Sequence, residues 1–429
     1  MISASPTLLA DAPPRPALSP PPRPDSADGA PHPVAHFVNS YVGKPGNIGV
    51  RTARILARLA ARGAGTSCLC RGATVRQAGV RYTPMGWLGQ VPRALNAVRI
   101  YVAPGFNHRL LDIRLFDWFA RGRLDEAVGA DATVAHVWDS CPALIAALRA
   151  RGLKVFLDVP IAPLTYGARM RRERGAAFLL DDARLRDIEL DAFSRADRLV
   201  APSQFVAREL VAAGVDAGRI DVVEFGADLA RTPDTLAGPA QAPTARAARG
   251  GIDFVFAGNV SRRKGVVELL QAWSDGPFAE DRLHLCGRVF SEIRPALAGA
   301  RGGSVLTPGF VDIARYLKGC DVFVLPSWLE GSAKSVFEAM AHGLPSIVTD
   351  SAGSVVRDGV DGFVIEAGDV DALRSRMAWM RDHPAERLAM GASARARAAG
   401  FTWERYAERV VSLYGAGRAP SPSTEQPCA

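Results

Sequence analysis

The sequence predicts an α/β fold built on parallel sheets, from three observations. Short β-branched apolar runs, among them RLHLCG, SVLTPGF, DVFVLPS, SIVTD and GFVIE, alternate with helical stretches, which is the pattern of a parallel α/β domain. Between two of these runs, GSAKSVFEAMAHG places Val336, Phe337, Met340 and Ala341 at helical spacing, and Gly343 and Pro345 end the helix. A chain of 429 residues that is 48% hydrophobic can bury more than one core, so its length favours two or three domains.

The elements follow in chain order. Residues 1–33, rich in Pro, Ala and Ser, cannot readily build a core and read as a disordered tail, without the apolar region of a signal peptide. VAHFVNSY reads as a strand, followed by a loop with Gly43, Gly46 and Gly49, the helix IGVRTARILARLAARG and the strand TSCLC. The glycines permit close approach of a phosphate or sugar, or serve an ordinary turn; their spacing is not the dinucleotide fingerprint, so a nicotinamide-dependent oxidoreductase is unsupported. ATVAHVWDS is a strand that ends in His136, Trp138 and Asp139, and a lone histidine beside an apolar strand reads first as structural. FSRADRLVAPSQFVARELVAAGVDAGRIDVVEFGADL contains Ser203, Gly226 and Asp228 and leads to residues 232–251, a Pro, Ala and Gly-rich linker candidate. FVFAGNVSRRKGVVELLQAW then runs from a strand through a basic loop into a helix. FTWERYAERVVSLYGAG supplies a final helix over 402–416, and residues 417–429 are expected to be mobile.

Charge and cysteine usage narrow the function classes. The net charge is +8, yet charged residues make up 22% and no aromatic and basic recognition motif is present, so a nucleic-acid partner is excluded. A phosphate-rich substrate or an anionic membrane surface fits better. Arg51, Arg54, Arg58 and Arg62 recur at helical spacing, and ARMRRERG adds a cluster from Arg169 to Arg174. Such stripes read as solvated faces, or as peripheral contact with an anionic membrane. The six cysteines lack zinc spacing and mostly occupy apolar strands, the pattern of a reduced cytoplasmic chain. The one obvious D-x-D, Asp369 to Asp371, begins a late helix and reads as its cap, so no metal site is expected.

The chemistry concentrates in PSWLEGSAKSVFEAMAHGLPSIVTD, where Glu330 and Glu338 stand at a strand-to-helix junction. In a right-handed strand, helix, strand unit this loop opens at the carboxyl edge of the sheet, where open α/β sheets bind ligands. The helix start offers free N–H groups to an anion. Eight helical steps span about 12 Å. Glycosidase carboxylates lie about 5 to 10 Å apart across one bond, so a hydrolytic pair is the poorer reading. Two anchor points along one elongated donor fit better, although glutamates on a helix commonly form only a solvated face. Arg262, Arg263 and Lys264 stand where they can neutralise a diphosphate, or form an exposed basic turn.

FAGNVSRRKG, PGFV with Phe310 and Val311, LPSWLEG and FEAMAHGLPSIVTDSAGSVVRDGVDGFVIEAGD together resemble the retaining glycosyltransferases of family 4. The resemblance implies the GT-B fold, two Rossmann-like domains whose parallel sheets face across a donor/acceptor cleft. Residues 34–231, with the helix 402–416 packing back, would form the acceptor domain, and residues 252–401 the nucleotide-sugar domain. It implies that Lys264 binds the donor diphosphate, that Glu330 faces the donor sugar and that Glu338 faces the ribose. Gly258, Asn259, Arg262 and Arg263 would flank the diphosphate. Gly331, Ser332, Ala333, Lys334 and Ser335 would lie against sugar and phosphate, and Phe310 and Val311 would border the base.

In the amino-terminal half the same resemblance points to Gly46, Asn47, Gly49 and Asp139 as cleft residues, and to His136 as binding the transferring sugar or orienting the acceptor. His136, Glu330 and Lys264 are thus the expected catalytic set, with no covalent nucleophile and no cofactor beyond the nucleoside-diphosphate sugar as co-substrate. Expected partners are this donor and a saccharide or lipid-linked saccharide acceptor in cell-surface polysaccharide or glycolipid assembly, at the inner face of the membrane.

Two departures stand out. Asn259 occupies a position where the family commonly has arginine, so Arg262 or Arg263 supplies that charge or phosphate binding is weaker. The loop AGSVVRDG is short and lacks a glutamate, leaving Ala352, Gly353 and Ser354 and an open base and sugar preference. A nucleotide-sugar epimerase and a catalytically silent nucleotide-sugar binding protein are the competing readings.

Overall fold

The computed structural model describes residues 33–44, 47–91, 108–227, 251–301 and 303–415. The tail candidates and the linker candidate lie outside these residues, apart from Pro33 and Gly251, as do Gly46 and Asp228. Two parallel sheets organise the rest. The first holds β1 (Val34–Val42), β2 (Thr66–Ala73), β3 (Val80–Pro84), β4 (Val134–Val137), β5 (Lys154–Asp158), β6 (Arg198–Ala201) and β7 (Ile220–Val222). The second holds β8 (Asp253–Ala257), β9 (Arg282–Cys286), β10 (Ser304–Gly309), β11 (Val322–Leu325), β12 (Ser346–Thr349) and β13 (Gly362–Ile365).

Burial explains which runs became which strands. Every residue of β8, β11 and β12 is buried, as their near-continuous apolar sequences require of strands covered on both faces. β10, at one edge of its sheet, is largely exposed and tolerates Pro308 because an edge strand has one unpaired side.

Strand order sets the position of the site. The first sheet runs β3-β2-β1-β4-β5-β6-β7 and the second β10-β9-β8-β11-β12-β13. In each, successive connections diverge from the pair of central strands, β1 and β4 or β8 and β11. The loops leaving those strands part from one another and open a crevice at the carboxyl edge.

The chain returns to its first half through the helix Trp403–Gly415, which packs along the helix Asn47–Ala61. At the crossing, a Cβ on Gly226 would lie 2.3 Å from the carbonyl carbon of Thr402, so only glycine allows the two backbones this close. The Ala227 N–H donates to the Phe401 carbonyl there at 3.0 Å.

This packing corrects the reading of the arginine stripe. Arg51 is fully buried and donates to both oxygens of Asp158 at 3.0 and 2.5 Å and to the Tyr406 hydroxyl at 2.9 Å. The Phe225 and Trp138 rings lie 4.3 and 5.1 Å from its guanidinium carbon. Arg54 pairs with Glu404, and Arg58 and Arg62 both pair with Glu408. Arg51 thus leaves the solvated stripe for the core, while Arg54, Arg58 and Arg62 stay partly exposed and form the seam with the last helix. Asp369 does cap its helix, accepting from the Ala372 N–H at 2.8 Å.

Candidate active site

At the crevice of the second sheet, β8 leads through Gly258 into the basic turn Arg262–Lys264 and then the helix Val266–Ser274. Gly265 (φ 71°) ends that turn, and a Cβ there would meet the Pro326 carbonyl oxygen at 1.9 Å. A side chain would thus push the turn away from the loop leaving β11. With the two loops in contact, Lys264 Nζ lies 2.7 Å and Arg263 Nη1 2.6 Å from the same oxygen, Glu330 Oε1. Ser327 Oγ adds a long contact at 3.4 Å.

Burial pushes the Glu330 carboxyl up, but the charges of Lys264 and Arg263 and their hydrogen bonds outweigh it and hold the group below the ordinary glutamate range. Two cations thus converge on one ionised carboxylate in a crevice. Arg262 goes elsewhere: its guanidinium carbon lies 5.5 Å from the Phe178 ring of the first half. Of the two arginines proposed to replace the charge missing at the exposed Asn259, Arg263 is the one at Glu330.

The loop continues into the helix Lys334–Ala341, whose first amides, on Lys334 and Ser335, have no acceptor within the helix. Ser332 is buried and its Oγ has no hydrogen-bond partner among the described residues. Glu338, one turn into the helix, pairs with Lys334 at 2.7 Å. The loop is fixed from behind: Ala333 N–H donates to the Ala352 carbonyl at 3.1 Å and Glu330 N–H to the Ser351 carbonyl at 2.9 Å. Phe310 stands 84% exposed just after β10, two strands from β8, while Val311 packs against the core. At about 4.8 Å per strand, this leaves roughly 10 Å between the basic turn and Phe310 along the sheet edge.

The two halves meet beside Glu330. A Cβ on Gly331 would lie 1.8 Å from the Pro160 carbonyl oxygen, just after β5. Ser203 Oγ, which caps the helix Gln204–Ala212, donates to the Gly331 carbonyl at 2.6 Å. The Tyr166 hydroxyl donates to the Trp328 carbonyl at 3.0 Å, and Arg208 reaches both oxygens of Asp350 at 2.6 Å. The Trp328 indole is buried with Ala176 and Leu179 and edge-on to Phe178, and its N–H donates to Glu268 at 3.0 Å. The α-carbon and carbonyl of Gly331 thus make the contact between halves.

At the crevice of the first sheet a second polar network lies opposite. Asn39, in β1, donates to Asp139 Oδ2 at 2.7 Å and accepts from Arg71 Nε at 2.8 Å. Arg71 pairs with Asp112, and Arg109 donates to Asp139 Oδ1 at 2.6 Å. Glu189 accepts from the Leu164 N–H at 2.7 Å, and burial pushes its carboxyl up to about 7. Only Asp139 of this set was expected from sequence. The signal available was positional: Asn39, Arg71 and Asp139 are each the first polar residue after an apolar strand run.

His136 does not line the crevice. It is 0% exposed, its ring stacks 4.7 Å from Trp138, and its Nδ1 lies 2.6 Å from the Tyr414 hydroxyl on the last helix. Burial lowers its pKa well below the usual range, and the neighbouring His36 and Arg51 lower it further. The expectation that it binds sugar or orients the acceptor is therefore corrected to a neutral core histidine. Asn47 begins the first helix, whereas Gly49 answers a close approach, since a Cβ there would lie 2.4 Å from the Tyr41 carbonyl oxygen.

Comparison with known proteins follows the same division. Residues 48–231 match the family model described as Glycosyltransferase Family 4, and residues 251–383 the one described as Glycosyl transferases group 1. The D-inositol 3-phosphate glycosyltransferase of Geodermatophilus obscurus is 32% identical over 250 residues, covering 53% of this chain and 54% of that protein. The chain thus spans about half the length of that curated relative. Sucrose-phosphate synthase from Thermosynechococcus elongatus superposes with a TM-score of 0.65 at 18% identity, over 90% of this chain and 98% of that one. Anabaena HepE in complex with UDP-glucose superposes with a TM-score of 0.62 at 14% identity, over 90% and 100%. At these identities the two structures establish the fold.

Proposed function

Because the chain belongs to glycosyltransferase family 4, within the group 1 glycosyl transferases, we propose that it moves a sugar from a nucleoside-diphosphate sugar to an acceptor hydroxyl with retention of anomeric configuration. The observation that carries this reading is the convergence of Lys264 and Arg263 on Glu330 across the crevice of the second sheet. In the transfer, the acceptor oxygen bonds to the anomeric carbon. The bond from that carbon to the diphosphate oxygen breaks, its electron pair stays with the diphosphate, and the hydroxyl proton passes to that leaving oxygen.

Negative charge grows on the diphosphate as positive charge grows on the sugar. Lys264, Arg263 and the free amides of Lys334 and Ser335 stabilise the former, and they act most strongly where charge develops. Glu330, kept ionised, accepts from a sugar hydroxyl, while Ser332 Oγ is a buried group still in need of a partner. Glu338 reaches the ribose by exchanging its Lys334 partner, and Phe310 offers an exposed ring to the base. The HepE complex supports a uridine donor. Residues 34–231 with 402–416 form the acceptor unit in this reading and 252–401 the donor unit.

Cell-surface polysaccharide or glycolipid assembly at the cytoplasmic face of a membrane is the setting we assign. No helix among the described residues is long and apolar enough to cross a membrane. Peripheral contact with anionic lipid rests on the second basic cluster, where Arg169, Arg171, Arg172 and Arg186 line one surface groove. The experiment for the donor site is thermal stabilisation by a panel of UDP-, GDP- and ADP-sugars, repeated with Lys264→Ala and Glu338→Ala. Stabilisation unchanged in both variants would refute the site.

A further inference from the structure

We propose that the acceptor is an uncharged polyol or saccharide, and that Asp112 and Asp139 reject a phosphate-bearing one. The inference rests on the transfer reading above and concerns its other substrate. Its place is the crevice between β1 and β4, the counterpart in the first sheet of the crevice that holds Lys264 and Glu330 in the second.

Among the described residues two arginines stand at that crevice, and each is already matched. Arg71 pairs with Asp112 and donates to Asn39, and both side chains are about nine-tenths buried. Arg109 is the exposed member, with 45% of its side chain accessible. Its Nη2 lies 2.6 Å from Asp139 and its Nη1 3.7 Å from Asp112. Glu189, close enough to sense both Arg109 and Asp139, adds a third carboxyl.

A phosphate dianion drawn to Arg109 would come to rest beside two buried carboxylates, where opposing charge is little screened. A hydroxyl has no such conflict. It can donate to a carboxylate oxygen while accepting from the guanidinium, replacing contacts the network makes with itself. The network therefore selects by charge as well as by shape, since juxtaposed like charges suppress the wrong partner. The Geodermatophilus relative is named for a phosphorylated acceptor, the class this proposal excludes for this chain.

The test uses the full chain and the nucleotide sugar that stabilises it most. Transfer is measured to matched pairs: myo-inositol and its 1-phosphate, glucose and glucose 6-phosphate, mannose and mannose 6-phosphate. Saturation-transfer NMR of the same pairs on the UDP-bound protein ranks them without turnover. The uncharged member is expected to lead by about tenfold or more, and Asp112→Asn to shrink that lead by a similar factor. Asp139→Asn provides a second variant. A phosphate ester preferred by the wild type, or a ratio unmoved in both variants, would overturn the proposal. Failure of the transfer reading looks different: no nucleotide sugar stabilises the protein, and Lys264→Ala changes nothing.

Discussion

Lys264 Nζ stands 2.7 Å from Glu330 Oε1, joining the loop that leaves β8 to the loop that leaves β11. Neither loop makes the site alone. Lys264→Ala is expected to weaken nucleotide-sugar binding by about 10- to 100-fold, as removal of one charge-assisted contact to phosphate would. Isothermal titration calorimetry with the best-stabilising donor measures it, and an unaltered Kd would count against the assignment.

The same pair predicts an acid-side effect. The Glu330 carboxyl is held below its unfolded value of 4.5, so its contribution to stability is present above that pH and lost as pH falls through the folded value. Urea unfolding below that pH should show wild type and Glu330→Gln converging in stability. At pH 7 the wild type should be the more stable of the two.

Glu189 has the opposite sign. Its carboxyl is raised from 4.5 to about 7 in the folded protein, which favours the folded state fully below the unfolded value and progressively less as pH rises toward 7. Glu189→Gln keeps an acceptor for the Leu164 N–H and removes the titration. Stability of the wild type should therefore fall between pH 4.5 and 7 relative to the variant, by up to about 3 kcal/mol. Parallel pH profiles would exclude this.

Breaking the buried Arg51–Asp158 pair should cost more than any surface ion pair. Asp158→Ala leaves Arg51 buried without its carboxylate, an expected loss of about 3–5 kcal/mol. The double variant Arg51→Met, Asp158→Leu should recover much of that loss, because no uncompensated charge remains. Chemical denaturation of the three proteins compares them directly.

Trp328 and Gly331 hold the two halves together. Trp328→Ala removes the indole from Ala176, Leu179 and Phe178 and is expected to destabilise by about 3 kcal/mol. Gly331→Ala places a methyl group 1.8 Å from the Pro160 carbonyl oxygen, so the halves must part. Small-angle scattering should show a larger radius of gyration for both variants than for wild type, and transfer should slow in both.

The strands and the donor loops were legible because their signals are local. A buried parallel strand must be apolar on both faces, so β8, β11 and β12 announce themselves as VFVL-like runs. The basic turn and the LPSWLEG loop each lie within a few residues of such a strand, so their place at the carboxyl edge follows from the chain path. His136 is ambiguous for a related reason: it lies within the short apolar strand β4, close to its carboxyl end, and the local sequence does not say whether the last helix covers it or it faces the crevice. The arginine stripe was equally ambiguous, because its partners Glu404, Glu408 and Asp158 lie far away in the sequence.

Local sequence carries the α/β class, the alternation of strands and helices, and the residue types gathered around Glu330 and Lys264. Periodicity and the needs of a buried backbone act over a few residues and leave their mark in order along the chain. The fold settles which of Arg262 and Arg263 meets Glu330, that His136 is sealed in the core beside His36, and that Asn39, Arg71, Arg109, Asp112 and Asp139 form one network. Those outcomes depend on strand order and on which loops part at a crevice. A side chain's charge compensation is settled by whatever the fold brings beside it, and no short window of sequence contains that neighbour.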